Sequence, residues 1–344
     1  MSRQRAEKIL VTGGTGFIGS HTVVELINDG YEVVIIDDLS NSKIEVLDRI
    51  EKITGVRPTF YQLNLCDIDI LKSCFKKEEN ISAIIHFAAS KAVGESVENP
   101  LLYYRNNLLS LMNLLEMMKA FETSSMVFSS SCTVYGQPDQ LPVDESTPFQ
   151  EAESPYGNTK QICEEILRDT AKAHEQLCAI ALRYFNPVGA HESALIGELP
   201  NGTPNNLVPF ITQTAAGIRP KLSIFGSDYN TPDGTAIRDY IHAVDLAKAH
   251  VIALRRMIEQ KNKSNFEFFN IGTGNGFSVL ETVKKFEEVN GVKVNYELVD
   301  RREGDIEQIF ADTTLANEEL GWKAEKGLAE MMATAWKWQT EGAV

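Results

Sequence analysis

The chain has 344 residues, of which 43% are hydrophobic and 24% are charged, and its formal net charge at pH 7 is −15. These proportions are typical of a globular protein, and the excess of acidic residues argues against a nucleic-acid partner. The five cysteines form no C-x-x-C pair, so neither a disulfide framework nor a zinc site is expected. The sequence has no secretory apolar segment and no apolar run of membrane length. We therefore expect a cytoplasmic protein that holds no metal and contacts no membrane.

The first 185 residues alternate short apolar runs with helical patterns. Strands are predicted at 9–11, 32–36, 59–62, 83–87, 126–129 and 178–182, and helices at 17–29, 43–54, 68–76, 100–121 and 156–175. Asn99 is expected to cap the long helix that begins at Pro100. Strands that alternate with helices in this way predict an α/β fold with a doubly wound parallel sheet.

The pattern changes after Arg183. Residues 186–240 are rich in Asn, Pro and Gly and contain only short elements, yet aromatic and apolar side chains are spread throughout. This composition favours a binding lobe over a disordered segment. Further helices are predicted at 244–259 and 278–289, and a further strand at 266–271. We therefore divide the chain into a first domain at 1–185, with its sheet completed by segments near 235–270, and a smaller C-terminal α/β lobe at 186–344.

The turn between the first predicted strand and helix is rich in glycine. Gly13, Gly16 and Gly19 give a spacing that allows a tight turn, a close approach of backbone to a pyrophosphate, and close packing of helix on strand. The N-terminus of the helix then offers free N–H groups to the phosphates. Asp37, at the end of the second strand, is placed to accept hydrogen bonds from a ribose and to repel a 2′-phosphate. The sequence therefore predicts a Rossmann domain at 1–185 that binds NAD rather than NADP.

Three residues predict proton transfer at the same edge of the sheet. Tyr156 and Lys160 are four residues apart on a predicted helix, so both side chains lie on one face. The pKa of a free tyrosine is about 10, and a neighbouring ammonium and a nicotinamide cation would move it toward neutrality. Ser131 follows the fifth strand, at the carboxyl edge where such sheets collect their chemistry. We expect Ser131 to hydrogen-bond a reacting oxygen, Tyr156 to exchange its proton, and Lys160 to hold the ribose and lower the tyrosine pKa.

Together these motifs resemble those of the extended short-chain dehydrogenases/reductases and, more closely, those of the UDP-glucose 4-epimerase family. The matching segments are 12–21, 91–97, 129–136, 154–160, 183–190, 205–207, 233–242 and 301–305, within a resemblance that runs from about residue 8 to about 338. The Tyr-x-x-x-Lys motif is shared by the whole superfamily. The sequences RYFNPVGA at 183–190 and DGTAIRDYIH at 233–242 are far more specific.

The resemblance implies an isomerase that reversibly epimerises C4 of UDP-galactose and UDP-glucose through a transient 4-keto sugar, with bound NAD, in galactose metabolism. It also implies a homodimer, for which the helices at 108–121 and 162–173 could pair across a two-fold axis. The motifs and the resemblance together place at the NAD the residues Gly13, Gly16, Phe17, Ile18, Gly19, Asp37, Asp38, Asn41, Ser42, Asn64, Leu65, Phe87, Ala88, Ala89, Lys91, Asn106, Ser131, Tyr156, Lys160 and Phe185.

A second set of residues surrounds the UDP sugar in the family. It corresponds here to Ser131, Tyr156, Asn186, Asn206, Leu207, Ser223, Phe225, Arg238, Tyr240, Arg302, Asp305 and Ile309. The chemistry of these side chains agrees with that placement. Arg238 and Arg302 are fixed cations suited to a diphosphate, and the ring of Phe225 could pack on uracil. Asn206 can donate to a phosphate, and Asp305 can accept from the uridine ribose.

The chain departs from the family at two positions. Asn64, expected at the adenine edge, stands where relatives often carry Asp, and its amide oxygen can still accept from the adenine amino group. Ile309 stands where relatives carry either a bulky Tyr, which closes the sugar pocket, or a small residue, which admits an N-acetyl group. The intermediate size of Ile leaves open whether N-acetylated UDP-sugars are also substrates.

Three alternatives compete with this interpretation. A UDP-N-acetylhexosamine 4-epimerase would differ in the sugar pocket alone. A nucleotide-sugar 4,6-dehydratase needs an Asp-Glu pair after the strand-end hydroxyl residue, where this chain has Cys132 and Thr133. A regulator that senses dinucleotides without catalysis typically lacks the Tyr or the Lys of the motif, and this chain keeps both Tyr156 and Lys160.

Overall fold

Seven parallel strands form the central sheet of the computed structural model, which describes residues 7–302 and 305–343. Numbered along the chain, they are β1 (Lys8–Thr12), β2 (Glu32–Asp37), β3 (Thr59–Gln62), β4 (Ile81–His86), β5 (Ser125–Ser129), β6 (Cys178–Tyr184) and β10 (Phe266–Ile271). Their spatial order is β3-β2-β1-β4-β5-β6-β10, so the direction of winding reverses between β1 and β4. At such a switch point the loops that leave the two strands diverge and open a crevice.

Helices cover both faces of this sheet, and its strands are therefore apolar on both sides. Ile9, Leu10 and Val11 of β1 are all fully buried, and they alternate between two apolar cores. The first core lies against α1 (Phe17–Asn28), α2 (Val46–Thr54) and α8 (Ala243–Ile258). The second lies against α3 (Ile68–Lys77), α5 (Pro100–Ala120) and α6 (Pro155–Ala173), with the short helix α4 (Val93–Glu98) beside α5 and α6.

The smaller lobe contains a four-stranded sheet and a two-stranded sheet. The first is built from β7 (Asn186–Val188), β9 (Ile237–His242), β11 (Gly276–Ser278) and β13 (Gln308–Ile309), and the second from β8 (Leu222–Phe225) and β12 (Tyr296–Val299). A third apolar core lies between these strands and α7 (Leu207–Ala215), α9 (Val279–Asn290) and α10 (Leu328–Lys337). α9 begins with a capping box, in which Ser278 and Glu281 each accept the other's backbone N–H.

Three differences between the observed and the predicted elements bear on the fold. The helix predicted at 43–54 begins only at Val46. Asn99 occupies the N-cap position of α5, but its side chain forms no capping hydrogen bond with any described residue. The strand at 266–271 extends the central sheet beside β6, whereas the segment 237–242 does not join it. Because β10 already occupies that edge, 237–242 pairs with β7, β11 and β13 as strand β9.

The cysteines and histidines have ordinary structural surroundings. All five cysteines carry free thiols. His86 is buried on β4, where its Nδ1 shares a 2.7 Å hydrogen bond with Thr12 Oγ1. Within residues 7–302 and 305–343, no group of three or more His, Cys, Asp and Glu side chains is arranged to hold a metal ion. Over the same described ranges, no helix combines the length and the apolar character needed to cross a bilayer.

Candidate active site

The glycine-rich turn after β1 is packed too tightly to accept side chains. A Cβ atom on Gly13 would lie 2.8 Å from the Ala88 backbone nitrogen, and one on Gly19 would lie 2.1 Å from the Gly13 carbonyl oxygen. Gly13 also has a φ of +70°, in the left-handed region that favours glycine. Gly16 is the N-cap of α1, and among the described residues no side chain caps this helix. The turn is therefore a backbone cradle whose N–H groups fit the pyrophosphate of a dinucleotide.

Asp37 joins the end of β2 to this turn. Its Oδ1 atom accepts from the backbone N–H of Leu39 at 2.9 Å and from the Ser42 hydroxyl at 3.0 Å. Its Oδ2 atom accepts from the backbone N–H of Thr15 at 3.2 Å. The carboxylate is almost fully buried, so its position beside the glycine turn is fixed. The other residues predicted in this loop are Asp38 and Asn41, both exposed.

The loop after β4 forms the opposite wall of the cradle. The backbone N–H of Phe87 donates to the Thr12 carbonyl at 3.1 Å, and that of Ala88 to Thr12 Oγ1 at 3.3 Å. Asn107 on α5 holds the same loop with two hydrogen bonds. Its side chain accepts from the N–H of Ser90 at 2.8 Å and donates to the Ser90 carbonyl at 3.0 Å. Asn107 lies in an unbroken helical pattern with no motif around it, and the sequence therefore gives no sign of its role.

Asn64 is exposed and is tied into its own loop by one hydrogen bond. Its side-chain oxygen accepts from the backbone N–H of Cys66 at 2.8 Å, within the loop that follows β3. Asn106 lies across from this loop on α5 and donates to the Ser90 hydroxyl at 3.1 Å. The remaining residues predicted in these loops are Leu65, which is buried, and Ala89, which is partly buried.

Ser131, Tyr156 and Lys160 come together at the carboxyl edge of the sheet. Ser131 follows β5, and its Oγ accepts from the N–H of Thr133 at 3.2 Å to begin a short 3-10 turn. Ser154 caps α6 by accepting from the N–H of Gly157 at 3.2 Å, which fixes the start of the helix one residue before Tyr156. The Nζ atom of Lys160 lies 5.7 Å from the centre of the Tyr156 ring.

The charges of this group differ from the sequence-based expectation. Lys160 Nζ donates to the Ser129 carbonyl at 2.6 Å, and burial lowers the pKa of Lys160 to about 8. Burial also raises the pKa of Tyr156, with a contribution from the Tyr184 phenol, and the hydrogen bond with Ser131 opposes this only in part. The expected lowering of the tyrosine pKa by Lys160 is therefore not found, because the phenol is enclosed and the ammonium is bonded to a backbone carbonyl.

The four-stranded sheet of the smaller lobe brings several predicted substrate residues together. The strand register places Tyr240 of β9 opposite Asn186 of β7, and Arg238 of β9 opposite Ile309 of β13. Tyr240 is buried in the third core of the molecule. Ile309 is only 3% exposed and packs in a fourth apolar cluster that includes Phe185. The side chains of Tyr240 and Ile309 are therefore packed against neighbouring residues and do not project into solvent.

Arg302 and Asp305 form a polar rim beside an open aromatic face. Arg302 Nη2 lies 2.7 Å from Asp305 Oδ1, and Arg238 Nη2 lies 3.9 Å from the same oxygen. The guanidinium carbon of Arg302 is 5.6 Å from the centre of the Phe225 ring, which is 43% exposed. Ser223 lies on the same strand, β8. Two guanidinium groups can bind a diphosphate, and an exposed ring beside them can stack on a base.

Glu198 links two predicted residues that belong to different lobes. Its Oε1 atom accepts from Asn206 Nδ2 at 2.6 Å and lies 3.7 Å from Lys91 Nζ. Lys91 comes from the loop after β4, whereas Asn206 is the N-cap residue that precedes Leu207 at the start of α7. The carboxylate therefore joins the loop after β4 to the start of α7. A lone Glu in a loop rich in Pro and Gly has no periodicity or motif, so the sequence does not mark it.

Known proteins resemble the chain over nearly its whole length. The family model described as GDP-mannose 4,6 dehydratase matches residues 10–335. The UDP-glucose 4-epimerase of Bacillus subtilis (strain 168) is 53% identical over 332 residues, which is 96% of each chain. That of Haemophilus influenzae is 52% identical over 331 residues, which is 96% of this chain and 97% of the relative. The crystal structure of the Bifidobacterium longum UDP-glucose 4-epimerase in complex with NAD+ and UDP has a TM-score of 0.93 at 46% identity, and covers 97% of this chain and 98% of that one.

The doubly wound sheet, the glycine cradle and the Tyr156–Lys160 pair beside Ser131 define an extended short-chain dehydrogenase/reductase. The full-length similarity is more specific than the fold. The chain belongs to the UDP-glucose 4-epimerase family. The sequence-based predictions of fold class and family are thus confirmed.

Asp37 should decide which dinucleotide the protein retains. We expect the purified protein to release NAD and no NADP on denaturation, because the carboxylate repels a 2′-phosphate. Asp37→Asn keeps the shape of the side chain and removes its charge. This variant should bind NAD roughly 10- to 100-fold more weakly, the cost of about 1.5–3 kcal/mol for a charge-assisted hydrogen bond, and should discriminate less against NADP. The measurements are the nucleotide released and the Kd for each dinucleotide.

Asp169→Asn is the matched control, since Asp169 is exposed on α6 and should leave both affinities unchanged. Release of NADP by the wild-type protein, or equal discrimination by the wild-type and Asp37→Asn proteins, would show that another residue selects the cofactor.

Proposed function

We propose that this protein interconverts UDP-galactose and UDP-glucose by reversible epimerisation at C4, through a transient 4-keto sugar and with NAD bound throughout, in galactose metabolism. The observation that carries the proposal is the meeting of Tyr156, Lys160 and Ser131 beside a dinucleotide cradle, in a chain that belongs to the UDP-glucose 4-epimerase family. The direct test is conversion of UDP-galactose to UDP-glucose by the purified protein. No conversion in the presence of NAD would contradict the proposal.

The residues of the crevice fit NAD. The turn at Gly13 and Gly19 leaves space only for backbone, as close approach to a pyrophosphate requires, and Asp37, at the end of β2, would accept from the adenosine ribose. When bound, NAD supplies the acceptor and the donor of the hydride at C4. Because the hydride returns to the sugar in each cycle, the reaction needs no net redox change and no release of the cofactor.

The side chains of the protein move the proton. Tyr156 takes the proton of the 4-hydroxyl while the sugar is oxidised and returns it while the ketone is reduced. Ser131 hydrogen-bonds the same sugar oxygen and keeps it within reach of the phenol. Burial favours the protonated phenol, so positive charge is needed to make Tyr156 a base. A nicotinamide cation would supply such a charge when NAD is bound, and Lys160 Nζ lies 5.7 Å from the centre of the ring.

Epimerisation needs a firmly held nucleotide and a sugar that can turn over between the two hydride transfers. Arg238 and Arg302 offer two guanidinium groups for the diphosphate, next to the exposed Phe225 ring and the Asp305 carboxylate. We assign the uridine diphosphate to this rim. The sugar would then face the wall that contains Ile309, where apolar contacts provide little to fix one orientation.

The alternatives are weaker on specific grounds. The matching family model is described as GDP-mannose 4,6 dehydratase, but the chain has Cys132 and Thr133 where elimination needs an acid and a base. Burial raises the pKa of Cys132 to about 12, so this thiol is a poor substitute for a carboxylate. A regulator without catalysis is disfavoured because Tyr156 and Lys160 are both present and adjacent.

We further propose that the protein works in the cytoplasm. The proposal is supported by five cysteines with free thiols, since paired cysteines are the usual state in oxidising compartments. Burial raises the pKa of Cys74 to about 11 and that of Cys163 to about 12, so these thiols resist oxidation and serve as apolar packing groups.

Loss of the Tyr156 hydroxyl should abolish most turnover without loss of binding. Tyr156→Phe keeps the ring and removes the proton-transfer group, so kcat for UDP-galactose should fall at least ~10²–10⁴-fold, the usual value of general acid–base catalysis. The Kd for UDP should stay close to that of the wild-type protein, because the diphosphate rim lies in the other lobe. The measurements are steady-state turnover and calorimetric titration with UDP.

Tyr61→Phe is the matched control for this variant. Tyr61 lies on β3, and its hydroxyl donates to Glu78 at 2.6 Å, away from the crevice. Its loss should leave kcat unchanged. Turnover by Tyr156→Phe at a rate close to that of wild type would end the proposed mechanism.

Ile309 should act as a partial gate for substituents on the sugar. We expect efficient epimerisation of UDP-galactose and weaker activity on its N-acetyl counterpart, because a β-branched side chain has few rotamers with which to yield space. Ile309→Ser should raise kcat/KM for the N-acetyl substrate relative to UDP-galactose, within the range of about 10- to 200-fold that steric pockets give. The ratio is the useful measurement, since the buried mutation also destabilises the protein and lowers both activities together.

Ile309→Tyr should move the ratio in the opposite direction. Equal kcat/KM values for the two substrates in the wild-type protein would refute the gate. An unchanged ratio in the Ser variant would assign the limit to another part of the wall.

We also propose that the protein is a homodimer, paired through α5 and α6. These two helices pack on each other, and α4 and α5 present exposed apolar side chains at Val97, Leu101 and Met112. Such a group of exposed apolar residues on neighbouring helices is typical of an interface. Light scattering should therefore give twice the monomer mass. Leu101→Glu with Met112→Glu should give the monomer mass, while Ile218→Glu, a similar exposed site in the other lobe, should not. A wild-type monomer at micromolar concentration would refute this pairing.

A further inference from the structure

A buried ion pair links the elements that carry the proton-transfer residues, and the mechanism above makes no use of it. The side chains of Glu164 on α6 and Arg183 on β6 are 0% and 3% exposed. Arg183 Nη2 lies 2.6 Å from Glu164 Oε2, and Arg183 Nε donates to Oε1 at 3.0 Å. The hydroxyl of Ser130, which directly follows β5, donates to Glu164 Oε1 at 2.5 Å. The Glu164 carboxylate therefore connects α6 to Arg183 on β6 and to Ser130, the residue after β5.

The same pair reaches the turn that follows Ser131. Arg183 Nη1 donates to the Tyr135 hydroxyl at 3.0 Å, and that hydroxyl donates to Asn270 Oδ1 at 2.6 Å. The guanidinium also lies over the ring of Phe268, with 4.1 Å between its carbon and the ring centre. Hydrogen bonds and an aromatic face thus surround the cation, whose side chain is 3% exposed.

Both ends of this network adjoin the catalytic side chains. Glu164 is one helical turn beyond Lys160, so the two share a face of α6. Ser130 directly precedes Ser131, and its backbone N–H donates to the carbonyls of Phe128 and Leu182 at 3.0 Å. A displacement of the Glu164 carboxylate would therefore move the Ser131 hydroxyl relative to Lys160.

We propose that Glu164 and Arg183 are positioning residues for the epimerase reaction, and that they hold the Ser131 hydroxyl in register with Tyr156 and Lys160. The inference rests on the proposed function, because it concerns the same proton transfer. A buried ion pair adds little net stability, since removal of two charges from water offsets their attraction. What the bidentate pair and its link to Ser130 provide is a fixed geometry, which a looser apolar contact would not supply.

Glu164 also acts on Lys160 through its charge. Burial lowers the pKa of Lys160 to about 8, and the negative charge of Glu164 acts to raise it. The other titratable groups near Lys160 are His86 on β4 and Tyr156 and Cys163 on α6. Burial lowers the pKa of His86 to about 3 and raises that of Cys163 to about 12, so both are uncharged at neutral pH. Because Glu164 acts to raise the Lys160 pKa, its loss should lower that pKa further.

Glu164→Gln tests the proposal, because it keeps the shape of the side chain and removes the charge. We expect kcat for UDP-galactose to fall about 10- to 100-fold while KM changes less than about threefold, as for a misplaced catalytic group. We also expect the alkaline limb of the kcat–pH profile to move to lower pH, because Lys160 then loses its proton more easily. A wild-type kcat in the folded variant would overturn the proposal, and so would a lower kcat with an unmoved alkaline limb.

Glu267→Gln is the matched control. Glu267 on β10 and Arg256 on α8 form a second, largely buried ion pair, with 2.8 Å between Oε2 and Nε, on the face of the sheet that α8 covers. Glu267→Gln should lower the stability of the protein as Glu164→Gln does. Its kcat and the alkaline limb of its kcat–pH profile should stay as in the wild-type protein. An equal fall in kcat in both variants would mean that any broken ion pair has this effect, and the positioning role would be refuted.

Ser130→Ala is the second test and applies if Glu164→Gln does not fold. It removes one hydroxyl and leaves the ion pair intact, so kcat should fall about tenfold with KM unchanged, and a wild-type kcat would overturn the proposal. Turnover of UDP-galactose by the wild-type protein distinguishes failure of the proposed function from failure of the positioning role. A wild-type protein that does not turn over UDP-galactose refutes the proposed function and the positioning role together. Normal wild-type turnover with unaffected variants refutes the positioning role alone.

Discussion

The parallel course of β1, β4, β5 and β6 is the constraint on which the rest of the molecule depends. Parallel strands all run toward the same edge of a sheet, so the loops that follow them meet there. Gly13, Ala88, Ser131 and Phe185 follow these four strands in turn. The loops meet closely enough for the Ala88 backbone to exclude a side chain at Gly13. The glycine cradle and the group formed by Ser131, Tyr156 and Lys160 are therefore two results of one arrangement of strands.

Buried carboxylates hold the loops at that edge, and they do so through backbone N–H groups rather than cations. Those N–H groups belong to Thr15 and Leu39 for Asp37, to Thr273, Gly274 and Ala311 for Asp239, and to Glu325 and Lys326 for Asp245. Burial raises the pKa of Asp239 and of Asp245, and these N–H bonds offset the cost of burial in part. Each one also joins segments that are distant in sequence, so irregular loops gain fixed positions without regular secondary structure.

Much of this arrangement can be predicted from the sequence, because local patterns encode it. The glycine spacing, Asp37 and the Tyr156–Lys160 pair each lie within a short segment of one predicted element. What the sequence does not predict depends on contacts between distant segments. β13 is only two residues long and is a strand because Arg238 lies beside it. Glu198 contacts Asn206 and Lys91, which come from different lobes, and no local sequence pattern predicts such contacts.

β9 serves different purposes on its two faces. Arg238 and Tyr240 belong to one face, which contributes to the region assigned to the nucleotide, while Asp239 between them binds the backbone of Thr273 and Ala311 on the other. Successive side chains on a strand lie on opposite faces. One inserted or deleted residue within these six would exchange the side chains of the two faces, so that Arg238 and Tyr240 would lose their places and the loops would lose the support of Asp239. Divergence within this strand is therefore restricted to substitutions, and changes of length must occur in the loops on either side.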